Sequence, residues 1–175
     1  MTRFDDLITY LPSPAELHDE AQALCDEEDD YFSFQVDALA GFDAFIAVDG
    51  AGQEGKIAFL KEGNKVVGAL MYAYDHESDL ADLSDDWKNE LSHTLFVNAP
   101  EVFKPVLQQG SPFTWKYPDH PSTFTSVFAT AAVWNVGDGW VVANEDDTAD
   151  EAFKHIKYSF KKFAFVKEYK QNITQ

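Results

Sequence analysis

Carboxylates are the groups in this chain whose number and spacing could do chemistry. The 175 residues include 31 Asp and Glu against 13 Lys and Arg, which gives a formal net charge of -18. A surface of this kind repels nucleic-acid backbones and anionic membranes and attracts basic proteins. We therefore expect no direct nucleic-acid or membrane binding, and we expect a basic protein as the partner.

The sharpest acidic pattern lies in a helix predicted between residues 79 and 95. A stripe of carboxylates beside its apolar face repeats with the helical period; it consists of Asp79, Asp82, Asp86 and Glu90. Like charges at this spacing repel one another by roughly a few tenths of a kcal/mol per close pair. A basic partner would relieve that repulsion, so the stripe is the first predicted binding surface. The alternative is a solvated face that keeps a Phe-rich chain soluble.

A second acidic run follows the first predicted helix. It consists of Asp26, Glu27, Glu28, Asp29 and Asp30. A helix C-terminus disfavours negative charge, so this run is the second predicted binding segment, with a solvated helix end as the alternative. Trp115 and Tyr117, in a proline-rich stretch, are the predicted aromatic anchors.

Acid–base and metal chemistry has less support in the sequence. Asp75, His76 and Glu77 are adjacent in a strand-like segment, where successive side chains point to opposite faces and cannot easily bind one ion. Cys25 is the single cysteine, and its acidic neighbours raise the pKa of a thiol. A GxGxxG pattern at 50–55 precedes a strand-like segment instead of the helix that phosphate binding requires. We expect no metal, no cofactor and no enzymatic activity.

One alternative keeps catalysis open. A small enzyme or ligand-binding domain would use Asp75, His76 or His93 as acid–base groups in a pocket between sheet and helices.

The basic residues are concentrated at the end of the chain. Residues 151–175 hold six Lys and two acidic residues, whereas residues 1–150 hold seven basic and 29 acidic residues. Lys154, Lys157 and Lys161 share one side of the predicted last helix. They can pair with the chain's own acids or with a second copy, so a self-associating structural subunit is a further alternative.

Two capping boxes mark helix starts. Ser13 to Glu16 predicts a helix from about 14 to 26, and Thr148 to Glu151 predicts a helix near the end of the chain. The core face of that last helix is predicted to consist of Phe153, Ile156, Phe160 and Phe163. Residues 162–169 also alternate as a strand would, which predicts an early end of this helix. A short helix is predicted over 100–109.

The remaining apolar segments resemble strands. Residues 56–60 and 66–72 flank a turn-forming Glu-Gly-Asn and predict a β-hairpin; residues 123–134 and 139–143 predict a second one. The segment 31–36 is strand-like, and the pattern that follows it to residue 48 fits helix or strand. These elements predict an α+β fold in which residues 1–175 form a single domain, with a largely antiparallel sheet of two hairpins packed by about four helices.

The combination of charge and composition leads to one functional hypothesis. The sequence has no secretory signal and no run of about 18 apolar residues, so a cytoplasmic protein is expected. In general character, an acidic α+β domain of this length rich in Trp and Phe is similar to toxin-immunity proteins. The leading prediction is an inhibitor of a basic partner, either a bacterial toxin-immunity protein or a nuclease inhibitor whose carboxylates stand in for phosphates.

Overall fold

The fold was analysed in a computed structural model. It describes residues 2–26, 33–48, 53–75, 95–109 and 129–173. Helix α1 (Arg3–Ile8) begins after Thr2, whose side chain accepts a hydrogen bond from the backbone N–H of Asp5. The Asp5 carboxylate accepts in return from the Thr2 backbone N–H, so α1 starts with a complete capping box that the sequence analysis did not single out.

Helix α2 confirms the first predicted helix. It spans Pro14–Cys25, and the Ser13 hydroxyl accepts a hydrogen bond from the Glu16 backbone N–H at 3.2 Å. Pro14 fits the first helical position because a proline lacks the N–H that would have no helical partner there. Leu17 and Ala21 form its buried face.

Six strands form one sheet in which every neighbouring pair is antiparallel and the spatial order follows the chain. The strands are β1 (Ser33–Leu39), β2 (Phe42–Val48), β3 (Gln53–Glu62), β4 (Lys65–Asp75), β5 (Ala131–Asn135) and β6 (Val141–Val142). The predicted hairpin at 56–72 is confirmed as β3 and β4, whose turn contains Gly63 with φ of 63°. The second hairpin is confirmed in a shorter form as β5 and β6, and residues 123–128 lie outside the described part.

The ambiguous segment up to residue 48 is a strand pair. Gly41, with φ of 83°, allows the tight turn between β1 and β2. Gln35 of β1 pairs with Ile46 of β2, and Phe45 then pairs with Ile57 of β3. Pairing on both sides makes β2 a strand, although the apolar spacing after Leu39 also fitted a helix.

Helices cover both faces of the sheet. On one face His18 of α2 contacts the rings of Phe45 and Phe59 edge to face. On the opposite face Tyr72 contacts Phe96, and Phe42 lies against Phe103. These last partners belong to the segment 95–109, where a 3-10 turn (Glu101–Phe103) leads into α3 (Lys104–Gln109) and confirms the short helix predicted there.

Two C-terminal helices complete the first face. Helix α4 (Asp146–Ser159) packs on β3, β4 and β5, and α1 packs against both α4 and α5 (Ala164–Ile173). The predicted core face of α4 is confirmed, because Phe153, Ile156, Phe160 and Phe163 are all buried. At its C-terminal end α4 approaches β3 closely: a Cβ built on Gly55 would lie 2.7 Å from Cζ of Phe160.

Two local predictions in this region are wrong. Helix α4 begins three residues earlier than the Thr148 capping box implies; Glu145 occupies the N-cap position, and the Thr148 hydroxyl donates to the Glu145 carbonyl instead. The predicted early end of α4 is confirmed at Ser159, but the strand-like segment 162–169 on which it was based is mostly helical, because α5 buries Phe165, Val166 and Tyr169 on one side. Burial at helical spacing decides between the two patterns.

The predicted α+β class is confirmed, with an antiparallel sheet as its centre. The described residues contain five α-helices, one more than the four expected, and form a single α+β unit. Among the helices within the described ranges, none is long and apolar enough to cross a membrane.

Candidate functional site

Most residues of the predicted binding surfaces lie outside the described part of the chain. This applies to Asp79, Asp82, Asp86, Glu90, Glu27, Glu28, Asp29, Asp30, Trp115, Tyr117, His76 and His93. Asp26 is described: it is exposed and caps the C-terminus of α2, where its backbone N–H donates to the Ala23 carbonyl at 3.2 Å. Asp75 is described as the last residue of β4. The acidic stripe and the aromatic anchors therefore remain predictions.

Exposed carboxylates on the described surface are concentrated where β6 leads into α4. Glu145, Asp146, Asp147 and Asp150 are exposed, and Asp138 is exposed in the preceding turn. The first turn of a helix favours negative charge by about 0.3–1 kcal/mol per group. Within the described ranges, none of these five carboxylates forms an ion pair with a lysine or arginine. They supply negative charge that the described fold does not neutralise.

A histidine–carboxylate–lysine cluster joins α2 to the β2–β3 pair. Nε2 of His18 lies 2.8 Å from Oδ2 of Asp43, and Nζ of Lys61 lies 3.3 Å from the same oxygen. Burial alone would raise the pKa of Asp43, but hydrogen bonds from His18 and Lys61 outweigh burial and hold that pKa below its ordinary value. Asp43 is therefore an ionised acceptor, so Nε2 of His18 is the donor in this pair.

His18 and Lys61 of this cluster line a cleft of about 580 Å³ between the first turns of α2 and the β3–β4 turn. Asn64 and Lys65 contribute further polar groups to the lining, and Asp19 and Glu62 contribute carboxylates. Nδ1 of His18 lies 3.8 Å from the Asp19 carboxylate, and the His18 side chain is 17% exposed. The cleft therefore has a lining of both charges, and His18 joins it to Asp43.

A second histidine is buried between α4 and the sheet. His155 is 4% exposed; its Nδ1 lies 2.7 Å from Oγ1 of Thr130, and its Nε2 lies 3.9 Å from Oδ2 of Asp75. Thr130 is fully buried and its hydroxyl donates to the Ala73 carbonyl at 3.2 Å. Burial lowers the pKa of His155, although the nearby Asp75 and Glu151 carboxylates act in the opposite direction.

Asp75, His155 and Thr130 have the residue types of a nucleophilic triad. Because His155 and Thr130 are buried, their role is structural. A nucleophile has to reach a substrate, and the Thr130 side chain is 0% exposed. The three residues link α4 to the ends of β4 and the start of β5, so they position elements of the fold.

Lys56 is an unusual member of the core. It is 0% exposed in the centre of β3 and pairs in register with Tyr72 of β4, which is also fully buried. A lysine is almost never fully buried unless it is paired. The sequence predicts Lys56 only as part of a strand, and no local pattern marks it as buried.

Cys25 is a half-buried free cysteine at the end of α2. Burial raises the pKa of Cys25, and the charge of Asp26 raises it further, which disfavours the reactive thiolate. Within the described ranges, no group of three or more histidine, cysteine or acidic side chains is placed to hold a metal ion.

The predicted basic face is confirmed on α4 and the turn that follows it. Lys154 forms an ion pair of 2.6 Å with Glu151, Nζ of Lys157 lies 4.6 Å from the centroid of the Phe153 ring, and Nζ of Lys161 lies 4.9 Å from that of Tyr158. Burial lowers the pKa of Lys157, and the cations of Lys170, Arg3 and Lys154 lower it further. Cations from three helices therefore converge at this end of α4.

Comparisons of the whole chain with protein-family models, curated proteins and solved structures find no match.

Proposed function

We propose that this chain is an acidic binding protein that inhibits a basic partner, with a bacterial toxin-immunity protein or a nuclease inhibitor as the most specific form of the proposal. The observation that carries it is the surplus of carboxylates: the net charge is -18, and the exposed acids from Asp138 to Asp150 have no ion-pair partner within the described ranges. The helix dipole favours the acids in the first turn of α4, but it does not explain a net charge of -18, because like charges in a compact protein repel one another.

A basic partner would gain from this surface in its rate of capture. Complementary fields raise association rate constants from about 10⁵–10⁶ to as much as about 10⁸–10⁹ M⁻¹s⁻¹ at low salt. Exposed charges act mainly on that rate and on its salt dependence, whereas buried aromatic contacts slow dissociation. For an inhibitor that must reach its target before damage occurs, rapid capture is the useful property.

The proposed interface places the acidic stripe at Asp79, Asp82, Asp86 and Glu90 first and the run from Asp26 to Asp30 second. Trp115 and Tyr117 would be its aromatic anchors. The described carboxylates at the start of α4 extend the negative field beyond these segments.

The test uses the basic protein encoded beside this chain's gene, because an immunity protein is expected next to its toxin. Association rates are measured by stopped-flow fluorescence over a range of salt concentrations, for the wild type and for the variant D82K/D86K/E90K. The control D19K/E62K/E101K changes the net charge equally at exposed positions outside the proposed interface. We expect the first variant to lose about tenfold or more in association rate and most of its salt dependence.

Two results would count against the proposal. Equal losses of association rate in both variants would show that net charge alone sets the rate and that the stripe is not the binding surface. Absence of binding between the wild type and the neighbouring basic protein at low salt would contradict the proposed inhibitor function.

A second candidate function is the binding of a small ligand that carries both charges in the cleft beside α2. The observation that favours it is the mixed lining, in which His18, Lys61 and Lys65 lie beside Asp19 and Glu62. Titration with free amino acids, followed by the NMR signals of the His18 ring, tests it. Saturable shifts that disappear in the K61A/K65A variant support binding, and unchanged ring signals contradict it.

The acid–base alternative at Asp75, His76 and His93 stays a prediction, because both histidines lie outside the described residues. In the described part of the chain, Asp75 lies beside His155, which is buried against Thr130.

A further inference from the structure

The outward side of α4 and of the turn after it carries charges in a definite order. We define the α4 stripe as Asp147, Asp150, Glu151, Lys154, Lys157, Tyr158 and Lys161. Four of these residues are exposed and the other three are half-buried, so the whole stripe lies at the surface. Its first three members are acidic and its later members are basic, apart from Tyr158.

The spacing places these side chains along one line. Asp147, Asp150, Lys154, Lys157 and Lys161 follow one another at intervals of three, four, three and four residues. Residues at these intervals lie on one side of a helix. Lys161 lies two residues beyond the end of α4, in the turn where Phe160 leaves the helical conformation, and its N–H donates to the Tyr158 carbonyl at 3.3 Å.

The stripe is antisymmetric in charge about Lys154. Positions equally far from Lys154 hold complementary groups: Asp147 corresponds to Lys161, and Glu151 corresponds to Lys157. Asp150 corresponds to Tyr158, whose hydroxyl can donate to a carboxylate. Two identical helices that run antiparallel about a two-fold axis bring such positions together, and each pair then occurs twice.

The helix dipole explains part of this order but not all of it. Acids in the first turn and bases in the last are favoured by the dipole, whose effect falls off within one turn. Asp150, Glu151 and Lys154 lie in the interior of α4. Tyr158 is 40% exposed within the stripe, and a tyrosine is a residue type enriched in protein interfaces.

The basic end of the stripe also favours an anionic partner. Lys157 is close enough to Lys170, Arg3 and Lys154 for all three cations to disfavour its own charge. Carboxylates from another chain would offset this repulsion.

We propose that two copies of this chain form a symmetric dimer through antiparallel α4 stripes, with the two-fold axis beside Lys154. At physiological ionic strength the Debye length is about 8 Å, so the close ion pairs act strongly while the net charges of the two bodies are largely screened. A helix of 14 residues is about 21 Å long. Such a contact is smaller than a standard interface, and the dimer is expected to be weak and in exchange with monomer.

Sedimentation velocity from about 10 to 500 µM at physiological ionic strength tests the dimer. The variant K157E/K161E leaves Lys154 as the single cation of the stripe, and D147K/D150K/E151K leaves the stripe with no acidic residue. Each variant alone is expected to weaken dimerisation by about tenfold or more, because each reversal removes pairs on both sides of the axis. An equal mixture of the two variants is expected to form a heterodimer. Circular dichroism verifies that both variants fold.

The control K65E/K104E changes the net charge as K157E/K161E does, but at exposed lysines away from α4. It is expected to dimerise as the wild type does. The proposal is overturned if the wild type stays monomeric and the mixture does not associate, or if the control disrupts the dimer equally.

Cross-linking tests the symmetry. In a C25S background, K154C places one thiol beside the proposed axis in each copy. Mild oxidation is expected to give a covalent dimer at micromolar concentration and none in K154C/K157E/K161E. Rapid cross-linking in both proteins would contradict the antiparallel arrangement. This inference does not depend on the proposed inhibitor function, since its partner is a second copy of the chain, although Asp147 and Asp150 belong to both surfaces.

Discussion

Replacing Gly55 by alanine tests the closest approach between the sheet and α4. The added Cβ would lie 2.7 Å from Cζ and 3.2 Å from Cε1 of Phe160, and 3.1 Å from Cβ of Ser159. The Phe160 ring is 0% exposed and contacts the Phe163 ring edge to face at 5.9 Å, so it has little room to retreat. We expect α4 to be pushed away from β3.

The expected size follows from two opposing effects. Overpacking of a well-filled core costs about 1–3 kcal/mol. Alanine is favoured over glycine inside a strand by about 0.5–1 kcal/mol, because glycine loses more conformational freedom on folding. The net loss in free energy of unfolding is therefore about 1–2 kcal/mol. For a chain of this length that corresponds to a fall in Tm of about 2–8 °C.

Urea unfolding followed by tryptophan fluorescence measures this loss in free energy of unfolding. A double-mutant cycle with F160L shows whether contact with the Phe160 ring causes it. Leucine lacks the ring atoms that the new methyl group would meet. In the F160L background, G55A is expected to cost less than about 0.5 kcal/mol. An unchanged cost in that background would refute the close contact with Phe160, and a rise in Tm for G55A alone would refute the overpacking argument.

Three further predictions concern single groups. The pKa of His155 in the folded state lies below its ordinary 6.5. Its contribution to stability is therefore present above about pH 6.5 and is lost as the pH falls towards the pKa of the folded state. In urea melts between about pH 7.5 and 5, the wild type should lose stability more steeply than H155N. S13A removes the α2 cap and should cost about 1 kcal/mol, seen as a fall in Tm of about 2–4 °C, whereas S13D should keep the cap. D43N should cost about 1 kcal/mol because the partly exposed ion pair with Lys61 is lost, while D19N, at a side chain that is 90% exposed, should stay close to wild type; equal urea midpoints for D43N and D19N would contradict this.

The parts of the fold that depend on local chemistry could be predicted from the sequence. The Ser13 cap and the Gly63 turn act within a few residues, and both α2 and the β3–β4 hairpin follow from them. β2 and α5 were harder, because strand pairing on two sides and burial in the core override ambiguous local patterns. α1 is only six residues long, too short for a periodic signal.

The candidate sites depend on contacts that no short motif reveals. His18 and Asp43 are 25 residues apart, and they meet only because α2 crosses the face that β2 and β3 share. His155 reaches Asp75 because α4 packs on the end of β4. Strand register and helix packing determine these pairs, and a single sequence records neither. The charge order of α4, in contrast, could be found from spacing once the helix was placed.

The position of α1 has a consequence for biosynthesis. Its main contacts are with β6, α4 and α5, all formed by the last third of the chain, and its Phe4 and Leu7 are fully buried there. Ribosomes add about 5–20 residues per second, so these two side chains wait on the order of ten seconds before their packing partners exist. The packing of α1 therefore comes late in synthesis, and chains that stop before α4 would present an uncovered apolar helix to chaperones and proteases.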